Sequence, residues 1–114
     1  MSECLFCKIA EHQIPAKIVY EDTTALAIED INPKAPVHLL VIPRQHIVSL
    51  YEMKQEDENL IGHLHAIAAQ LARERGLETQ GYRTVINSGE GAGQSVFHLH
   101  VHVLGGRLFQ WPPG

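Results

Sequence analysis

Three histidines alternate with apolar residues near the end of the chain, in the run "HLHVHVL" of residues 98–104. The whole sequence of 114 residues contains only eight histidines, so this run concentrates them. Imidazole can bind a metal, attack as a nucleophile, or exchange a proton near neutral pH. A metal site, a nucleophile with helper groups, and a run of surface residues without a function are therefore the three interpretations to compare.

Strand geometry decides how these rings can be used. Because side chains alternate between the two faces of a strand, His98, His100 and His102 share one face, with neighbours about 6.6 Å apart and the outer two about 13 Å apart. The residues between them share the opposite face, which we expect to be buried against a long helix: Phe97, Leu99, Val101 and Val103. One ion cannot reach all three rings, so at least one histidine must have a separate role.

The two cysteines, Cys4 and Cys7, form a Cys-x-x-Cys pair close to the N-terminus. The first residues lack the basic start and the small-residue cleavage site of a signal peptide, which predicts a cytoplasmic protein. A stable disulfide is rare in that compartment, so the pair is either a redox motif or half of a zinc site. Its place at the very start of the chain favours zinc, with histidines as the missing ligands.

Composition restricts the class of protein. A length of 114 residues predicts a single domain over residues 1–114, and 45% apolar with 19% charged residues is typical of a globular protein. The formal net charge of −4 argues against a nucleic-acid partner. No apolar run reaches the length of about 18 residues that a membrane span needs.

The remaining sequence predicts the elements that hold these groups. Apolar residues recur at three- and four-residue steps over residues 56–75, which predicts one long amphipathic helix, and a short helix is predicted within residues 4–12. Five segments have the composition of strands: residues 17–22, 25–30, 37–43, 82–87 and 96–104. Hairpins with one inserted helix indicate an α+β domain with an antiparallel sheet of about five strands, preceded by an N-terminal segment (1–15) and followed by an irregular tail (105–114).

The histidine run resembles the His-φ-His-φ-His-φ-φ signature (φ, apolar) of the histidine triad, or HIT, superfamily. Residues 14–47, the segment "GYRTVINSGEGAGQSVFHLHVHVLGGR" and the ending "WPPG" are similar to its Hint branch, the nucleoside phosphoramidate hydrolases. The resemblance covers nearly the whole chain. It implies the HIT fold and a homodimer in which a two-fold axis continues the sheet across the interface, with Trp111 of the tail reaching toward the partner's site.

The resemblance also implies an activity: hydrolysis of the P–N bond of purine nucleoside 5′-phosphoramidates, giving a nucleoside monophosphate and an amine. His100 would attack the α-phosphorus and carry the nucleotide covalently, with its orientation fixed partly by His38. His102 would donate to a non-bridging phosphate oxygen, and Ser95 would lie near the leaving nitrogen. The alternatives are a nucleotide-binding regulatory module with incidental activity, and a dinucleoside polyphosphate hydrolase.

Binding residues follow from the same resemblance. The phosphate contacts it implies are Asn87, Gly93, Gln94 and Ser95, together with His100 and His102. The ribose would bind at Asp30 and Ile31, and the base, adenine or guanine, between four apolar residues: Phe6, Ile9, Ile28 and Leu40. Some members of the superfamily hold a structural zinc ion at positions that match Cys4, Cys7, His46 and His98. No catalytic cofactor is expected, and activity should need no added magnesium.

Overall fold

The computed structural model describes residues 3–114, and residues 1 and 2, which the sequence analysis includes in the N-terminal segment, lie outside the described part. Five strands form one antiparallel sheet in the order β1-β2-β3-β5-β4. They are β1 (Ile18–Glu21), β2 (Ala25–Glu29), β3 (Val37–Pro43), β4 (Tyr82–Val85) and β5 (Val101–Gly105). The expected α+β architecture with five strands is confirmed.

Two α-helices accompany the sheet, α1 (Leu5–Ala10) and α2 (Glu58–Glu74). Single 3₁₀ turns occur at Leu50–Glu52, Gln55–Asp57 and Glu90–Ala92. The long helix ends where Gly76 adopts φ of +70°, a conformation that glycine adopts without strain. Among residues 3–114, neither helix has the length and apolar character needed to cross a membrane.

The long helix covers one face of the sheet and forms the larger core. Its apolar residues, including Leu64, Ile67 and Leu71, are buried against the central strands β3 and β5. The strand residues on this face share the odd positions of β3 and β5: Leu39, Val41, Val101 and Val103. The periodicity of residues 56–75 and the burial of the apolar residues between the histidines are therefore confirmed for this part of the chain.

The opposite face of the sheet carries the histidines, and it is also buried. Helix α1 packs here through Phe6 and Ile9 onto β2 and β3, so the molecule has a second, smaller apolar cluster. His98 is fully buried and His100 is 8% exposed. The histidine face is thus the floor of a covered site.

The last strand is shorter than predicted. Strand β5 begins at Val101, so His98 and His100 precede it, and Phe97, which was expected to be buried, is 48% exposed. The sheet register explains the early end, because continuing the ladder from Val41 and Val101 would bring Leu99 opposite Pro43. Proline has no N–H to donate, and Leu99 instead donates its N–H to the carbonyl of Ile47. The prediction of a strand over residues 96–104 is therefore wrong for its first half.

Candidate active site

A cavity of about 330 Å³ lies between helix α1 and the histidine face of the sheet. Most of the residues predicted to bind nucleotide line it: Phe6, Ile9, Ile28, Asp30, Ile31, Leu40, Ser95, His100 and His102. The structure adds Leu5, Ile14, Pro15, Ala16, Glu29 and Val96 to these walls. The cavity is apolar along α1 and polar at the end where the two histidines and the carboxylate meet, which is the arrangement expected for a ligand with an aromatic part and a charged part.

The ring of His100 is held by one hydrogen bond from its Nδ1 to the main-chain carbonyl of His98, at 2.8 Å. A carbonyl can only accept, so Nδ1 carries the proton and Nε2 is left with a lone pair. Burial lowers the pKa of His100, although the bond to His98 and the charge of Asp30 raise it, and the neutral form is therefore favoured at neutral pH. The hydrogen bond that fixes this ring is to the His98 carbonyl, whereas His38, to which the resemblance partly assigned that orientation, lies against His102.

Phe6 closes this end of the site from helix α1. Its ring meets His100 edge-on with ring centres 5.1 Å apart, and it meets His98 with ring centres 5.9 Å apart. These contacts remove water from one side of both imidazoles. They also explain why burial is the largest cause of the lowered pKa of each ring.

His38 and His102 form a directed chain of hydrogen bonds. The backbone N–H of Lys34 donates to His38 Nδ1 at 3.0 Å, so the proton of His38 must be on Nε2. That Nε2 lies 2.9 Å from His102 Nδ1, which therefore accepts and leaves the His102 proton on its own Nε2. Burial and the neighbouring His100 and His38 lower the pKa of His102 to about 4, so the ring is a neutral hydrogen-bond donor at neutral pH.

Asp30 stands beside this chain at the end of β2. Its Oδ1 accepts the N–H of Asn32 at 2.8 Å, and its Oδ2 lies 3.4 Å from His38 Nε2. A carboxylate has about four acceptor positions, so Asp30 keeps the capacity to accept further hydrogen bonds from a molecule in the cavity. Its neighbour Ile31 is 97% exposed at the rim.

The glycine-rich loop before β5, "SGEGAGQS" (residues 88–95), is held by the side chain of Gln94, for which the sequence analysis expected a phosphate contact. Gln94 is buried, and its Nε2 donates to the carbonyls of Val48 and Val96 at 2.6 and 3.1 Å while its Oε1 accepts the N–H of Gly89 at 2.8 Å. The side chain thus ties the loop to the chain after β3, a role that sequence analysis missed. Asn87, Gly93 and Gln94 do not line the cavity, and their contacts with phosphate stay predictions.

A second group of side chains meets next to the cavity, at the N-terminus of α1. It consists of Cys4, Cys7, His46 and His98, whose ligand atoms all lie within 4.8 Å of one another. The Cys4 and Cys7 sulfurs lie 3.2 and 3.6 Å from His98 Nδ1, Cys7 Sγ lies 3.5 Å from His46 Nδ1, and the two Nδ1 atoms are 3.2 Å apart. The four positions predicted from the resemblance are therefore brought together.

The geometry of this cluster fits a tetrahedral metal. Zinc bonds of about 2.3 Å to sulfur and 2.05 Å to nitrogen would put two nitrogens about 3.3 Å apart and a nitrogen about 3.6 Å from a sulfur. His98 Nε2 lies 2.7 Å from the carbonyl of Pro43, so it carries the proton, and the lone pair of Nδ1 faces the other three ligands. Burial lowers the pKa of His98 to about 4, which keeps that lone pair free of a proton. The donor set is compatible with structural zinc.

Known proteins resemble the chain over its whole length. The profile of the family described as "Scavenger mRNA decapping enzyme C-term binding" matches residues 3–109. An uncharacterized HIT-like protein of Synechococcus elongatus is 54% identical over 115 residues, covering 100% of both chains.

Two solved structures extend the comparison, one to the overall fold and one to a zinc-bound relative. A HIT family hydrolase of Legionella pneumophila superposes with a TM-score of 0.96 at 48% identity, covering 98% of this chain and 100% of that one. A zinc-bound histidine triad family protein of Mycobacterium smegmatis superposes with a TM-score of 0.79 at 37% identity, covering 92% and 76%. The fold, the paired histidines at the cavity and these likenesses together show that the chain belongs to the HIT family of hydrolase-like proteins.

Proposed function

We propose that this protein hydrolyses the P–N bond of purine nucleoside 5′-phosphoramidates through a nucleotide bound covalently to His100. One observation carries the proposal: in a single cavity, His100 presents an unprotonated Nε2 while the neighbouring His102 presents an Nε2–H. A nucleophile and a fixed donor are the two groups that nucleotidyl transfer needs most.

The reaction follows from those two atoms. His100 Nε2 attacks the α-phosphorus, the P–N bond to the amine breaks, and the leaving nitrogen takes up a proton from solvent water, with the Ser95 hydroxyl near it. Water then attacks the phosphorus and gives up a proton to solvent, the bond to His100 Nε2 breaks, and the nucleoside monophosphate leaves. In both steps negative charge builds up on the non-bridging oxygens, where the His102 Nε2–H lowers the barrier.

The rest of the cavity suits a nucleoside. Its apolar walls, formed by Phe6, Ile9, Ile28 and Leu40, are those of a pocket for a flat aromatic base. Asp30 supplies a carboxylate for the ribose hydroxyls at the polar end. Walls with so few polar groups favour adenine and guanine alike.

Zinc is the metal proposed for the cluster of Cys4, Cys7, His46 and His98. Two thiolates and two imidazoles form a closed set, which is typical of structural sites, so the ion would supply cross-linking and no open position for substrate. It would connect helix α1, which is one wall of the cavity, to the segments that follow β3 and precede β5.

A homodimer is part of the proposal. Strand β4 is one of the two outer strands of the sheet; its Arg83 donates to the carbonyl of Gln110 in the irregular tail, where Trp111 is 82% exposed. Pairing across a two-fold axis is a common way to cover the edge of an outer strand.

The test is a rapid-quench experiment with an AMP phosphoramidate, followed by intact-mass measurement. We expect the parent protein to show a transient AMP adduct, and His100→Ala to show none. His65→Ala, at an exposed histidine of α2, is the matched control and should form the adduct like the parent. Tight AMP binding with neither adduct nor turnover would replace the enzyme with a nucleotide-binding module.

A further inference from the structure

The proton on His38 Nε2 has two possible acceptors. One is His102 Nδ1 at 2.9 Å, and the other is Asp30 Oδ2 at 3.4 Å. The side chain of the donor His38 is only 4% exposed and that of the acceptor Asp30 is 19% exposed, so the proton lies away from bulk water and is shared among these side chains. The N–H of Lys34 occupies His38 Nδ1, which leaves His38 a single proton to share between them.

The two acceptors lead to different parts of a bound nucleotide. His102 and Asp30 both line the cavity, and the proposed function assigns His102 to the phosphate and Asp30 to the ribose. When the ribose hydroxyls donate to Asp30, the carboxylate becomes a weaker competitor for the His38 proton. The His38 Nε2–H then bonds more strongly to His102 Nδ1. Because successive hydrogen bonds in a chain polarise one another, the Nε2–H of His102 becomes a stronger donor.

We propose that Asp30 is a positioning residue for the chemical step, because it couples ribose binding through His38 to the strength of the His102 donor at the phosphate. The inference rests on the proposed function and deepens it by naming the substrate class: ribonucleotides are selected over 2′-deoxyribonucleotides in the rate of nucleotidyl transfer as well as in binding. A carboxylate that only held the ribose would change binding and leave the rate at saturation unaltered.

The first experiment measures adduct formation in single turnovers at saturating AMP phosphoramidate and its 2′-deoxy analogue. We expect the 2′-deoxy analogue to react about fivefold to tenfold more slowly with the parent protein. The variant His38→Gln interrupts the coupling between Asp30 and His102. In this variant both substrates should react slowly and at nearly equal saturating rates, while the difference in KM persists. Ser95→Ala is the matched control, since it also slows the reaction but leaves the chain intact, and it should keep the parent's ratio.

Two results would overturn the inference. They are equal saturating rates for the two substrates on the parent, or the parent's ratio unchanged in His38→Gln. If His38→Gln does not fold, Asp30→Asn provides the same test, because the amide keeps the shape and removes the charge that competes for the proton. In Asp30→Asn the ratio of the saturating rates of the two substrates should approach one.

A binding measurement separates this inference from the proposed function. Proton NMR of the parent should show the His38 Nε2–H resonance moving downfield when AMP binds, and moving less with 2′-deoxy-AMP. Failure of the phosphoramidase proposal would leave this shift in place, whereas identical spectra with both nucleotides would contradict the coupling. If the adduct forms at the same saturating rate with the ribose and the 2′-deoxyribose substrates, the proposed function is upheld and only the inference is rejected.

Discussion

Two pairs of imidazoles lie side by side, one pair beside the cavity and one in the neighbouring Cys/His cluster, and they are built differently. Between His38 and His102 the nitrogens are 2.9 Å apart and the ring centres 5.1 Å, a difference of 2.2 Å. That is about twice the distance of ~1.1 Å from an imidazole nitrogen to its ring centre, so the two rings point end to end. Between His46 and His98 the values are 3.2 and 4.9 Å, a difference of only 1.7 Å, so these rings bend toward a common point.

The main chain explains the contrast. In the first pair an N–H from Lys34 occupies the outer nitrogen of His38, which places a proton between the rings. In the second pair a carbonyl from Pro43 occupies the outer nitrogen of His98, which places a lone pair between the rings and beside two sulfurs. The choice of main-chain partner therefore decides whether a histidine pair shares a proton or presents ligands to a cation.

The largest expected effect is loss of the metal. In the double variant Cys4→Ser, Cys7→Ser, we expect zinc bound per chain to fall from about one to near zero and the free energy of unfolding to fall by about 3 kcal/mol or more, because binding to the folded state alone stabilises it. Native mass spectrometry and urea denaturation measure the two quantities. Parent protein treated with a chelator should show the same free energy of unfolding as the variant. If the chelator leaves the stability of the parent unchanged, the His46/His98 pair does not differ from the other pair by binding a metal.

The next effect is on the proton-sharing pair. His38→Ala removes the donor that holds His102 Nδ1 as an acceptor, so its proton is no longer confined to Nε2, and we expect kcat to fall by about a hundredfold. Zinc content should stay at the parent's value, as native mass spectrometry can establish. Loss of zinc in this variant would mean that the two pairs are not independent.

A fall in pH should lower the free energy of unfolding through the buried rings of His102 and His98. The pKa of His102 is about 4 in the folded protein against 6.5 for an ordinary histidine, because of burial first and the neighbouring His100 and His38 next. Between these values the unfolded chain binds more protons, so stability is retained above pH 6.5 and is lost as the pH falls from 6.5 toward 4. The slope of the free energy of unfolding against pH is obtained from urea midpoints of chelator-treated protein across this range. His98 contributes to this slope with the same sign. His102→Gln should reduce the slope, and an unchanged slope would contradict the assignment.

The smallest effect should come from Phe6, which contacts both sites. Phe6→Leu removes edge contacts to His98 and His100 and should cost about 1 kcal/mol of stability with a modest rise in KM. Lys8→Ala, at a partly exposed position of α1 that does not line the cavity, is the control for a substitution elsewhere on this helix. An effect of Phe6→Leu confined to zinc content or to KM alone would show that the ring serves only one of the two sites.

Side-chain periodicity was enough to predict the broad arrangement. The alternation of His100 and His102 with Val101 and Val103 placed the rings opposite the long helix, and the three- and four-residue spacing identified α2. The early end of β5 depends on the register that would oppose Leu99 to Pro43, which is visible only when the strands are paired. The predicted activity and the roles of individual side chains came from the family resemblance and stay proposals.

Other features of the site leave no trace in the residue pattern. Gln94 bonds to Val48, 46 residues earlier in the chain, and the acceptor for His100 is a main-chain carbonyl that every residue type possesses. Such bonds depend on where the backbone passes. Residue spacing together with the family resemblance therefore predicts which side chains assemble, and neither predicts which polar group fixes each one.

His98 contributes its ring to the cluster with Cys4, Cys7 and His46, and its carbonyl accepts the Nδ1–H of His100. Any amino acid at position 98 would supply the same carbonyl. In evolutionary terms the two contributions are separable. Mutation can remove the proposed metal ligands one at a time, and apolar packing can replace their cross-link, while the main-chain partner of His100 is kept whatever residue stands at position 98.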